Sequence, residues 1–113
     1  MVWIVCDGRP VASATVASTA AARRRGLLGQ DCFEGALVLP GVRQVHTVGM
    51  RFAIDVAWVD RRGRVLRVGR LDPGRVSRVV WKAATVIEAT AGSMERWGIG
   101  HGAYVEFVTG VDG

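Results

Sequence analysis

Val45-His46-Thr47-Val48-Gly49-Met50-Arg51-Phe52-Ala53-Ile54-Asp55-Val56-Ala57-Trp58-Val59-Asp60 is the stretch on which the reading of this chain turns. Its second half alternates. Ile54, Val56 and Trp58 fall on one face and Asp55, Ala57 and Val59 on the other, the two-residue period of a strand. Its first half sets His46, Thr47, Met50 and Arg51 among apolar neighbours, where polar groups are costly unless they find partners. If Gly49–Phe52 is a four-residue connection, His46 lies directly opposite Asp55, with Cβ atoms ~4.5–5.5 Å apart.

Outward from this stretch, short apolar runs alternate with turn chemistry. Val2–Cys6 reads as a strand, Asp7-Gly8-Arg9-Pro10 as a turn, and Val11–Val16 as the returning partner. Ser18 or Thr19 can cap a helix over Ala20–Leu28, ended by Gly26 or Gly29, with the Arg23–Arg25 run opposing the dipole at its C-terminal half. Gly35–Pro40 is a candidate buried strand. After Asp60-Arg61-Arg62-Gly63, Val65–Leu71 pairs back, and Val76–Trp81 and Thr85–Ala89 are further strand candidates. Gly92-Ser93 opens a helical turn over Met94–Trp97, and Ala103–Val108 closes the series. About eight short strands with turns between them, one short helix and one late helical turn predict a mostly β domain, a sandwich or an open barrel.

The chain has 113 residues, half of them hydrophobic, which suits one domain with a real core. Fifteen glycines against three prolines favour tight turns over a flexible linker. Fourteen of the 15 basic residues are Arg, Lys82 being the exception, and the net charge is +5. Scattered along the sequence, these read as a solvated surface, so nucleic acid is not the expected partner. Cys6 and Cys32 form no CxxC pair, which excludes a zinc ribbon or thioredoxin-type motif, and two free thiols are expected. Neither a signal h-region nor a run of ~18–20 apolar residues is read in the sequence, so a cytoplasmic domain, or the mature part of something longer, is expected.

Four motifs give the chain a family likeness: Arg25-Gly26-Leu27-Leu28-Gly29; His46-Thr47-Val48-Gly49-Met50-Arg51-Phe52-Ala53-Ile54-Asp55-Val56; Asp60-Arg61-Arg62-Gly63-Arg64-Val65; and Ile87-Glu88-Ala89 with Gly92, Gly98 and Gly102 behind it. They stand in the right order, the likeness extends over roughly Ala12–Phe107, and the chain resembles the DUF192 family, small domains of unknown function. The resemblance implies a jelly-roll-like β-sandwich or barrel with a short helix, and no established substrate, cofactor or mechanism. Ala53 stands where the family usually has Pro, and Ala103 where it tends to have Asp.

The chemistry on offer is narrow. His46 donating to Asp55 would be half of a general-base arrangement, yet no nucleophile lies near it in sequence. Asp55 could equally accept backbone amides of the Gly49–Phe52 turn. His46, His101, Asp55 and Glu88 show none of the short spacings of a metal site, so no metal and no cofactor is expected. Glu88, between Ile87 and Ala89, is an inward or edge carboxylate calling for a cation such as Arg51. Trp58 reads as core, Trp81 and Trp97 as more exposed, and Gly98–Gly102 as a tight turn.

The leading expectation is therefore a non-enzymatic binding or accessory module for a small anionic ligand or a protein partner. Its site is the His46–Asp55 loop, with Arg51, Thr47 and Glu88 as binding candidates. The alternatives are a hydrolase-like enzyme with His46 as base oriented by Asp55, and a basic nucleic-acid binder using Arg61–Arg78.

Overall fold

A computed structural model describes residues 2–27 and 33–110. Its strands are β1 (Val2–Cys6), β2 (Arg9–Val16), β3 (Ala36–Pro40), β4 (Ile54–Val59), β5 (Val65–Leu71), β6 (Thr85–Thr90) and β7 (Val105–Thr109), with two short helices, α1 (Ala20–Arg25) and α2 (Ser93–Trp97). The strands form one mixed sheet in the order β5-β4-β6-β3-β2-β1-β7. Only the β2–β3 pairing is parallel, and α1 lies in the connection that such a crossover requires. The protein is thus mostly β, as its patterning indicates.

The sheet is open, but its two edges approach each other. The Val65 amide donates to the Ala103 carbonyl and the Val105 amide to the Gly63 carbonyl, at 2.9 and 2.8 Å. This contact holds the sheet curled without closing it into a barrel. Gly63 makes the approach possible, since a Cβ there would sit 2.5 Å from the Val105 carbonyl oxygen.

Strand alternation then sorts the apolar residues into two cores. Ile4, Val38, Ala57, Val59, Ile87 and Ala89 pack with Met94 of α2 on one face. Leu37, Leu39, Ile54, Val56, Trp58 and Val86 pack on the other with Leu27 from beyond α1. β4 is buried along its whole length because it lies between β5 and β6 and carries core on both faces. Trp58 is 2% exposed, and its indole N–H donates to the Arg43 carbonyl at 3.1 Å, which satisfies the polar edge of a core aromatic.

Seven strands stand where about eight were expected, because Val76–Trp81 does not form one. Its ladder is interrupted by a side chain. The Ser77 hydroxyl accepts the Val45 amide at 3.0 Å and donates to the Arg78 carbonyl, leaving a single isolated bridge, His46–Val76. Thr19 caps α1 by accepting the Ala22 amide, and Gly26 ends it; the end of the expected helix, at Leu28, lies outside the described residues. Cys6 is a buried free thiol whose pKa burial pushes up, while Cys32 lies outside the described residues.

Candidate functional site

The expected pairing of His46 with Asp55 is not formed. In the ladders Asp55 stands opposite Arg70 and Ala89, whereas His46 is bridged to Val76. The 45–50 segment is not the first arm of a hairpin. It docks instead on 72–77, about which Thr47 is the organising residue. Thr47 is completely buried, its hydroxyl donates to the Asp72 carbonyl at 2.6 Å, and it accepts the Arg75 amide at 2.9 Å. Its own amide donates to the Arg75 carbonyl, and its carbonyl accepts the amides of Met50 and Gly74. These bonds make Thr47 the fastening of two loops.

Asp55 is also structurally engaged, but elsewhere. Its Oδ2 accepts the Gly92 amide at 2.9 Å and the Met94 amide at 3.1 Å. These belong to the first turn of α2, whose N-cap residue, Gly92, has no side chain to offer. The carboxylate of β4 therefore does the capping from across the core. The amides it takes are not those of the Gly49–Phe52 turn, which the sequence made the alternative donors.

Parity explains the separation. Asp55 shares its face with Ala57 and Val59, the α2 side of the sheet. Glu88 of β6 pairs with Val56 and Leu37, and so belongs to the opposite face, among the core that includes Val45 and Leu27. His46 lies on this second side. Together with Glu88, Ala20, Arg23, Leu27 and Gln44 it lines a cavity of about 440 Å³. Val42 and Val45 supply apolar wall.

Glu88 is the unusual group. A carboxyl in a central strand, 4% exposed, has lost most of its hydration. Burial pushes it up from an ordinary 4.5 to about 7, and the opposing influence is a hydrogen bond from the Leu27 backbone amide rather than the Arg51 guanidinium. The turn that ends α1 makes the amide contact possible. Gly26 has φ +52°, and a Cβ on it would lie 3.1 Å from Glu88 Oε2. The Arg25-Gly26-Leu27 motif and the Ile87-Glu88-Ala89 motif, far apart in sequence, thus meet at one carboxyl.

The remaining candidates sit at or beyond the rim. His46 is exposed, and its Nδ1 accepts the Val48 amide at 3.3 Å. In a neutral imidazole that bond places the proton on Nε2, so the ring presents a donor outward. Arg51 is exposed, and among the described residues Arg23 is the cation that lines the cavity. Nothing in the spacing of Arg23 or Gly26 pointed to Glu88; only the docking of α1 on the sheet brings them there. Among the described residues no group of three or more His, Cys, Asp or Glu is placed to hold a metal. Among them, too, no helix is long and apolar enough to cross a membrane.

An open, mostly β sheet with a carboxyl-floored cavity on one face is the class that fold and site define. The model of the DUF192 family (Uncharacterized ACR, COG1430) matches residues 3–107, and the chain belongs to that family. No curated protein matches it. Among solved structures it is similar to a protein of unknown function from Novosphingobium aromaticivorans, with a TM-score of 0.77 at 19% identity over 93% of this chain and 82% of that one. It is also similar to a "putative transcription regulator" from Sinorhizobium meliloti, with a TM-score of 0.77 at 18% identity over 94% of this chain and 91% of that one. At such identities the likeness is one of fold.

Proposed function

We propose that the protein is a small binding module whose site is the cavity between α1, the 42–46 segment and β6. The ligand it suits carries a hydrogen-bond-donating or cationic head for Glu88 and an anionic end for Arg23. The observation that carries this reading is Glu88 itself. A carboxyl near half-ionisation at neutral pH, on the floor of an otherwise largely apolar cavity, accepts a donor from a ligand and gains its charge when a cation arrives. Asp55, by contrast, is taken up by two converging backbone amides of α2. The anionic group first assigned to Arg51 is here met by Arg23, which lines the cavity, and His46 and Gln44 add polar contacts at its mouth.

The hydrolase alternative loses its orienting carboxylate, because Asp55 is bound to α2 on the other face. The test of the binding reading is a thermal-shift screen with small amines, carboxylic acids and zwitterions, run in parallel on the wild-type chain and on Glu88→Gln. Stabilisation of the wild type by amine-bearing compounds, lost in Glu88→Gln, supports it. No stabilisation by any of the three classes, or equal stabilisation of the variant, refutes it.

A further inference from the structure

A second surface, sharing no lining residue with the Glu88 cavity, gathers what the sequence scatters. Trp81 is 75% exposed, the most exposed of the large hydrophobic side chains among the described residues. It stands between two clefts of about 380 and 360 Å³, and it and Lys82 line both. Arg43, Arg61 and Arg62 line the first; Arg67 and Arg78 line the second. The turn after β4, the start of β5 and the irregular 78–82 segment bring them together. Among the described residues that line these two clefts, six cations stand with one carboxylate, Asp60, a local charge of +5.

The one acid is occupied. Asp60 Oδ1 accepts the Arg62 amide at 2.8 Å and the Arg64 amide at 2.9 Å, so it shapes the turn that presents Arg61 and Arg62. Arg43 is steadied by its Nε–H donating to the Ala83 carbonyl at 3.3 Å. A projecting indole costs apolar exposure to water that a purely electrostatic surface would not need.

We propose that the Trp81 surface binds single-stranded nucleic acid, with a base stacked on the indole and the flanking phosphates held by arginines in the two clefts. The alternation fits. In a single strand every flat base is bracketed by phosphates on both sides, and here one flat aromatic is bracketed by cationic clefts on both sides. In a duplex the base faces are already stacked on one another and unavailable to Trp81. An acidic peptide would satisfy the arginines and leave the indole without a role. An anionic bilayer would call for a wider apolar rim than one indole.

The experiment is fluorescence anisotropy of a labelled oligo-dT and a labelled oligo-U titrated with the full chain at several salt concentrations. Binding that weakens steeply with salt is expected, together with a loss of roughly tenfold or more in Trp81→Ala and retention of most affinity in Trp81→Phe. An Arg61→Gln/Arg62→Gln variant should bind less tightly and with a shallower salt dependence. Unaltered thermal unfolding of Trp81→Ala shows that the effect lies at the surface. Three results would overturn the proposal: no oligonucleotide binding at low salt, undiminished binding by Trp81→Ala, or binding to duplex DNA, poly-glutamate or phosphatidylserine vesicles as tight as to the single strand.

Discussion

Replacing Glu88 with glutamine should change not so much how stable the protein is as how its stability depends on pH. In the folded chain the Glu88 carboxyl titrates near 7, against an ordinary 4.5. A folded pKa above the unfolded one means that the folded state holds its proton longer. The contribution of this group to stability is then greatest below 4.5, declines as the pH rises from 4.5 to 7, and levels off above. The slope within that window is about 1.4 kcal/mol per pH unit, and the shift as a whole amounts to about 3 kcal/mol.

Glutamine has no proton to lose and can still accept the Leu27 amide through its carbonyl oxygen. It carries a second N–H that the protonated acid lacks, and leaving this unpaired costs about 1–3 kcal/mol at every pH. The offset between the two proteins is therefore uninformative, and the difference in slope is the readout. Urea unfolding at half-unit steps from pH 4.5 to 8 should show the wild type losing about 3 kcal/mol relative to Glu88→Gln, on the order of 10 °C in Tm. Parallel profiles across that range would refute the reasoning, because they would mean that Glu88 is hydrated in the folded state and that the cavity floor is not a low-dielectric site.

Three further substitutions probe the frame around the site. Asp55→Ala leaves two amides of the α2 turn without their charged acceptor and should cost about 2–4 kcal/mol in chemical denaturation, with Asp55→Asn recovering part of the loss. Thr47→Val conserves shape but removes the acceptor of the Arg75 amide; a cost of about 1–3 kcal/mol is expected, with faster amide hydrogen exchange at Arg75. Gly26→Ala meets both a positive φ and the Glu88 carboxylate, and should destabilise by about 1–3 kcal/mol in thermal unfolding. The same change should drive the Glu88 titration toward its ordinary range, read from the pH dependence of stability, if the displaced carboxyl gains water.

What was legible in the sequence is what a two-residue period can carry. Ile54–Val59 fixed the faces of β4, Thr85–Ala89 fell within β6, and Thr19 and Gly26 bounded α1 through chemistry that acts within one turn. The partner of 45–47 was not legible. A four-residue Gly49–Phe52 connection, a closure cheap in chain entropy, would set His46 opposite Asp55. The structure instead takes the longer closure to 72–77, because Thr47 there satisfies buried backbone groups that a hairpin would leave to the turn. Bonds between a side chain and a distant backbone have no period, so neither the loss of a strand at Val76–Trp81 nor the docking of α1 on Glu88 leaves a mark in the pattern. The Arg61–Arg78 stretch was legible as a basic segment, but its assembly with Arg43, Trp81 and Lys82 into one surface was not. Arg43, Arg61, Arg67 and Arg78 lie on four segments that only the sheet order brings together.

Asp55 and Glu88 sharpen the argument because they differ so little in position. β4 and β6 are neighbours, Asp55 is paired with Ala89, and Glu88 is one residue away. That single step places the two carboxyls on opposite faces and in opposite circumstances. Two amides of α2 converge on one oxygen of Asp55, the arrangement that fixes a carboxylate and removes it from further use. Glu88 receives the Leu27 amide, is deprived of water by the same core that surrounds it, and opens onto a cavity. A carboxyl buried in a central strand is a cost that the fold does not need, since the Val56 and Leu37 flanking it show that an aliphatic residue packs at this level of the sheet. A ligand donor that enters through the cavity and bonds to Glu88 would offset that cost.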